Sequence, residues 1–280
     1  MTQNIHIDGH GTFSGGAYRS VSVNGLGRCT EPFTCQDITV NGSLSTADIT
    51  AETLCVNGHL KAQGSITSKA TSINGMVFLD ENLRTEDLRV DGNLTVSGSL
   101  HADNVRVDGR LKCCGVMTAG PFACDGIASL ENGLFAQSVD VDGVLTVQGN
   151  IEAERMESDG KISATAQISA DTIRLHGMVR ADEIVGDSIE ICYKSPARAA
   201  ASFLNSVFGS NLCDNTRSAN LIEATSIRLE SVCAGVVSGE HVIIGKNCQI
   251  DRLDCTGDFA IDPSSIVRLV NGTPYTPSAQ

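Results

Sequence analysis

The chain has 280 residues, no tryptophan, 4% aromatic residues and 28 glycines, which leaves little bulk for a wide globular core. Its formal net charge is −13 and its pI near 4.8, with Lys and Arg scattered along the sequence, so a phosphate-backbone footprint and a nucleic-acid partner are excluded. No stretch approaches 18 continuous apolar residues, so no transmembrane helix is expected.

Residues 1–19 carry Gly9, Gly11, Gly15 and Gly16 and read as an irregular N-terminal start. Ile5 and Ile7 are strand-like, with no amphipathic cap before them. The opening Met1-Thr2-Gln3-Asn4 has neither a basic nor an apolar region, so no secretory leader is expected.

From 20 to 193 one dipeptide sets the pattern. Asp or Asn precedes Gly9, Gly25, Gly42, Gly58, Gly75, Gly92, Gly109, Gly126, Gly143 and Gly160, and His176 precedes Gly177. The steps are 16 or 17 residues. A fixed period of this kind marks a solenoid, whose units are stable only because neighbours cover their apolar faces. Apolar positions repeat with it: Leu94, Leu100, Val105 and Val107, then Leu111, Met117, Phe122 and Cys124. Val105-Arg106-Val107 and Val139-Asp140-Val141 alternate as half-buried strands do. The Asx-Gly pairs are expected to supply turns, through positive φ at glycine and Asx bonds to its own backbone. Three short strands per unit make each one a coil of a parallel β-helix of about 17 residues. Glycine at that frequency excludes a helical repeat.

Residues 194–209 read as the one short amphipathic helix. Pro196 suits its first turn, Ala197, Ala199, Ala200 and Ala201 favour it, and Gly209 stops it. Its apolar patch of Phe203, Leu204, Val207 and Phe208 is a candidate recruitment surface for a partner protein. Strand-like clusters resume over 210–270, at Ile227/Leu229, Val242/Ile244 and Phe259/Ile261. The tail, 271–280, contains Pro274 and Pro277 and reads as disordered.

Each end of such a solenoid presents unpaired backbone groups and an open section of core. Ile5 and Ile7 at one end, with Phe259, Ile261, Ile266 and Leu269 at the other, are the candidate polymerisation residues, the partner being a second copy. Eleven cysteines contain no C-x-x-C pair and no metal set. Their odd count points to a reducing, cytoplasmic setting, and Cys124 takes a core position that other coils give to Val or Leu. No cofactor, metal or catalytic constellation is expected. The rival readings are a solenoid acyltransferase or a polysaccharide-acting enzyme, and a monomeric protein-binding scaffold. Against the enzymes, the 17-residue coil breaks a hexapeptide period. Asp91, Asp108, Asp125, Asp142 and Asp159 are accounted for by turns. A peripheral membrane role draws only weak support from scattered cations.

The chain resembles the bactofilins, a polymer-forming cytoskeletal family, and within it the longer Firmicutes type. The resemblance rests on Gly11, Gly15-Gly16 and Val21-Ser22-Val23-Asn24-Gly25, on the central repeats, and on the closing block. That block runs Ile222 to Glu230, then Val237-Ser238-Gly239-Glu240-His241-Val242-Ile243-Ile244-Gly245, and Gly257 to Asp262-Pro263. It implies a right-handed β-helix and nucleotide-independent filaments serving cell shape, division-site organisation or motility.

Overall fold

The computed structural model describes residues 3–193 and 217–276, in two compact units, Met1–Gln148 and Gly149–Gln280. Each is a right-handed parallel β-solenoid with repeats of about 17 residues.

In the first unit most coils contribute one long and one short strand. The long strands, such as Leu83–Val90, Leu100–Val107 and Met117–Cys124, stack into one parallel sheet. The short ones, such as Met76–Leu79, Asn93–Val96 and Arg110–Cys113, stack into a second. A long strand serves two sides of the coil. In Leu83–Val90 the in-out alternation breaks at the adjacent exposed pair Glu86-Asp87, where the chain turns a corner. Three stretches per coil therefore face the interior, as the apolar spacing predicts. Leu94 pairs with Leu111, Leu100 with Met117, Val105 with Phe122 and Val107 with Cys124, so like positions stack on like and fill a narrow core of Val, Leu, Ile and Cys.

One coil departs from this. Its long strand is split into Ile66–Thr67 and Ala70–Ile73, and the gap holds a buried hydroxyl cluster. Ser68 Oγ lies 2.6 Å from Thr71 Oγ1 and donates to Thr85 Oγ1 at 3.0 Å, and Thr85 Oγ1 donates to the Lys69 carbonyl at 3.1 Å. The hydroxyls satisfy one another, which is what burial requires of them.

The second unit begins in the same style, with Ile151–Ser158, Lys161–Ala164, Gln167–Leu175 and Met178–Arg180. Beyond Glu183–Cys192 the coils simplify to single long strands, Ala219–Glu230, Cys233–Ile244 and Gln249–Ile261. Ile227 pairs with Val242 and then Phe259, and Leu229 with Ile244 and then Ile261, the register the sequence clusters indicate. A bulge between Gly239 and His241 absorbs the change of coil length. The last strand, Ile266–Val270, turns back at Asn271-Gly272 into Thr273–Pro274. Both turn residues have positive φ, 48° and 76°, as a two-residue hairpin demands.

Two expectations are corrected. The fold class contains no helical insert: the described residues form strands and turns and no helix. Segment 194–209, with Phe203, Leu204, Val207 and Phe208, lies outside the described residues. The helix reading rested on local propensity alone, and an isolated stretch of that length is marginal without packing.

The second correction concerns Gly25, Gly42, Gly58, Gly75, Gly92, Gly109, Gly126, Gly143, Gly160 and Gly177. They do sit at coil corners, yet none is among the described residues with positive φ. Glycine is needed because of the coil beneath. A Cβ on Gly75 would lie 1.9 Å from the Gly58 carbonyl oxygen, and one on Gly42 2.0 Å from that of Gly25. Those carbonyls are themselves in use: the N–H of Met76 donates to Gly58 O and that of Ser43 to Gly25 O, both at 2.8 Å.

Candidate functional site: the terminal coils

The first coil is Asn4–Ile7 followed by His10–Thr12. Both strands pair on one edge alone, Asn4–Ile7 with Ser20–Val23 and His10–Thr12 with Leu26–Arg28. Among the described residues nothing pairs with their other edge. Ile7 is buried and fills the space left by two glycines, since Cβ atoms on Gly11 and Gly27 would come within 3.2 and 3.3 Å of its side chain. Ile5 is half-buried. The two candidates thus differ: Ile7 belongs to the fold, and Ile5 to the open edge.

An aromatic plug that the sequence reading missed closes part of this end. The Phe13 ring meets Phe33 at 5.2 Å and Tyr18 at 5.9 Å, both edge to face, and Tyr18 Oη donates to the Ser14 carbonyl at 2.8 Å. The signal was present, because three of so few aromatics fall within 21 residues of one another.

The corner of the first coil stays open. Asp8-Gly9 repeats the Asx-Gly pair, yet a Cβ on Gly9 would meet nothing within 4 Å. On its other side the corner is fully engaged. The N–H groups of Asn24 and Gly25 donate to Ile7 O at 2.8 and 3.0 Å, Leu26 N–H donates to Gly9 O at 2.7 Å, and Asn24 Nδ2 donates to Asp8 Oδ1 at 2.8 Å. That last bond, with His6 nearby, holds the Asp8 carboxyl below its ordinary range. It is also the first rung of a ladder. Asn41 donates to Asn24, Asn57 to Asn41 and Asn74 to Asn57, at 2.8–2.9 Å. From Asp91 carboxylates replace the amides, and Arg89 and Arg106 bridge three of them. Arg89 donates to Asp91 at 2.9 Å and Asp108 at 2.8 Å, and Arg106 to Asp108 and, at 2.6 Å, to Asp125. Arg106 above all lowers the Asp108 pKa.

At the C-terminal end the last ladder is incomplete. Ile266–Val270 pairs with residues 249–253, leaving one edge of Asp258–Ile261 without a described neighbour. Phe259 is 42% exposed and Ile266 49%, and Ile261 is half-buried. Leu269 differs from these, because the hairpin pairs it with Pro274. Proline has no N–H to offer a further strand, so the hairpin blunts that half of the edge. The open half carries Phe259 and Ile261, beside a contact between His241 Nδ1 and the Asp258 carboxylate.

No group of three or more His, Cys, Asp or Glu positioned for a metal occurs among the described residues. The buried thiols are shifted away from reactivity: burial pushes Cys35 up to about 12 and Cys113, Cys124 and Cys248 up to about 11. Cys233 is disulfide-bonded, which the expectation of a reducing setting did not foresee. No helix of the described residues is long and apolar enough to cross a membrane.

No known family model matches the chain, and no solved structure matches it. A stretch of 49 residues is 45% identical to the uncharacterized protein YhbE of Bacillus subtilis (strain 168), covering 18% of this chain and 21% of that protein. The matched stretch thus spans about a fifth of the relative's length. The chain is a β-solenoid distantly related to that uncharacterized Bacillus protein.

Proposed function

We propose that this protein is a non-enzymatic scaffold that assembles with copies of itself through its terminal coils, without nucleotide. This is the behaviour expected from its resemblance to the bactofilins. The observation that carries the reading is the first coil. It keeps the Asp8-Gly9 corner, with a free edge and clear space, and among the described residues no coil stacks on it. From Gly25 to Gly143 the same periodic corner glycine lets one coil lie on the carbonyl of the one before. The open edge at Asp258–Ile261 supports the same reading from the other end, because solenoid ends that are not capped are templates for pairing.

Negative-stain microscopy of the purified protein without nucleotide tests it. Filaments are expected, lengthening with protein concentration and sensitive to salt, because the chain is strongly acidic. Phe259→Asp should shorten or abolish them while leaving the β-sheet circular dichroism unchanged, since Phe259 is exposed in the single molecule. Uniform single particles at every concentration and salt would count decisively against assembly. The cellular task we assign to the scaffold is organising cell shape, a division site or a motility apparatus in the cytoplasm.

A further inference from the structure

Asn is followed directly by Gly at Asn24, Asn41, Asn57, Asn74, Asn132 and Asn271. Such a pair is chemically exposed in a particular way. The next backbone nitrogen lies within reach of the side-chain Cγ, and glycine has no Cβ to hinder its approach. All six asparagines are solvent-exposed, so exposure does not separate them. What differs is how each glycine nitrogen and each carboxamide is held.

At the ladder corners both are held. The N–H groups of Gly25, Gly42, Gly58 and Gly75 donate to the carbonyls of Ile7, Val23, Val40 and Val56 at 2.9–3.0 Å. Asn24, Asn41 and Asn57 each donate Nδ2 to the rung before and accept at Oδ1 from the rung after, while Asn74 donates alone. At the hairpin, Gly272 N–H has no acceptor among the described residues, but the Asn271 carboxamide is clasped at both ends. Its Oδ1 accepts from Cys255 N–H at 2.8 Å and its Nδ2 donates to Cys255 O at 3.0 Å.

Asn132-Gly133 has neither restraint in full. The side chain makes one bond, from Nδ2 to the Cys114 carbonyl, and Gly133 N–H has no acceptor among the described residues. The cause lies one coil earlier. At this place in three other coils an Asx side chain accepts the following coil's N–H. Asp48 Oδ1 takes that of Ser65 at 2.6 Å, Asn82 Oδ1 that of Ser99 at 2.8 Å and Asn150 Oδ1 that of Gln167 at 3.3 Å. Beneath Gly133 stands Val116, next to the Met117–Leu134 pair, and valine offers no acceptor.

We propose that Asn132 is a site of spontaneous deamidation in the folded protein. The Gly133 nitrogen attacks Asn132 Cγ, the new C–N bond closes a succinimide ring, and the Cγ–Nδ2 bond breaks. Nδ2 leaves as ammonia, taking the proton that the Gly133 nitrogen gives up. Water then opens the ring at either carbonyl, leaving aspartate or isoaspartate. One water enters, one ammonia leaves, and nothing is oxidised or reduced. The new carboxylate has no proton to donate to Cys114 O. It also adjoins Glu131, whose carboxyl a hydrogen bond from Lys112 holds below its ordinary range. Modification therefore removes the one bond this side chain makes and adds like charge at the same corner. The site lies in the first unit and does not depend on self-assembly.

The test holds the folded full-length protein in warm, mildly alkaline buffer and follows each Asn-Gly peptide by mass, which rises where OH replaces NH2. Asn132 should react first. Asn74 and Asn271, with one more hydrogen bond to break, should be about five-fold slower, and Asn24, Asn41 and Asn57, with two more, about 30-fold slower. In urea all six should react at similar rates. Val116→Asn restores the missing acceptor at an exposed position and should slow Asn132 about five-fold without changing the others. Asn132→Gln should remove the early product. The proposal is overturned if all six react alike in the folded protein, if a corner asparagine leads, or if none reacts until urea is added. An early product that persists in Asn132→Gln, or a folded Val116→Asn protein that reacts at the wild-type rate, would overturn it equally. A Val116→Asn chain that failed to fold would betray itself by reacting at all six pairs as in urea, and the wild-type order of rates would then decide.

Discussion

At Gly75 an added methyl would sit 1.9 Å from the Gly58 carbonyl oxygen, and that carbonyl cannot retreat without giving up its bond from Met76 N–H. Gly75→Ala should therefore destabilise the first unit by about 2–3 kcal/mol, the usual scale of overpacking where the neighbour is backbone. Gly9→Ala should be neutral or slightly stabilising in the single molecule, because the space is empty and the unfolded chain loses freedom. Thermal melts of both variants decide the matter: equal losses would show that local conformation, and not stacking, requires these glycines. The sequence made the glycine period legible but not its cause. Asx-Gly has two backbone roles, and the one that positive φ serves appears at Asn271-Gly272, where the dipeptide closes a hairpin.

The buried thiols give a second prediction at this scale. Cys35, Cys113, Cys124 and Cys248 titrate at about 11–12 when folded, against about 8.5 in an unfolded chain. A raised pKa means the folded state holds its proton longer. Their contribution is therefore intact below about pH 8.5 and is lost as pH rises toward 11. Each thiol should add about 1.4 kcal/mol per pH unit to the slope in that window. Cys124→Val places in that coil the residue its neighbours already use, Val107 and Val141. It should flatten the alkaline limb of a melting-temperature profile by one thiol's share. An unchanged limb would mean the thiols are already accessible to base.

Elements were legible where a period spoke for them. The coil strands and even the late register of Ile227, Val242 and Phe259 follow from apolar spacing, because stacked parallel strands place like on like. Features present once had no such support. The aromatic plug of Phe13, Tyr18 and Phe33 and the blunting hairpin at Thr273–Pro274 are tertiary solutions to an end, and an end has no repeat. The asparagine ladder lay between these cases, since the period was visible but not that Asn57 links Asn41 to Asn74. Asn57→Ala removes one donor and one acceptor from that chain and should cost about 1 kcal/mol. Asn57→Asp should cost more, because a carboxylate there faces the Asn41 oxygen with no proton to give. Equal melting temperatures for the two would show that the ladder is solvated and contributes nothing.

For the whole molecule, assembly through the terminal coils predicts how variants combine. A contact between coil ends needs both partners, so copies carrying Phe259→Asp should not extend a filament through that edge. Mixed with wild type, the variant should shorten filaments in proportion to its fraction, because each copy that joins stops growth at its altered end. Sedimentation of such mixtures checks this. Filament mass that is indifferent to the variant's fraction would place the contact elsewhere than on the open edge of Asp258–Ile261.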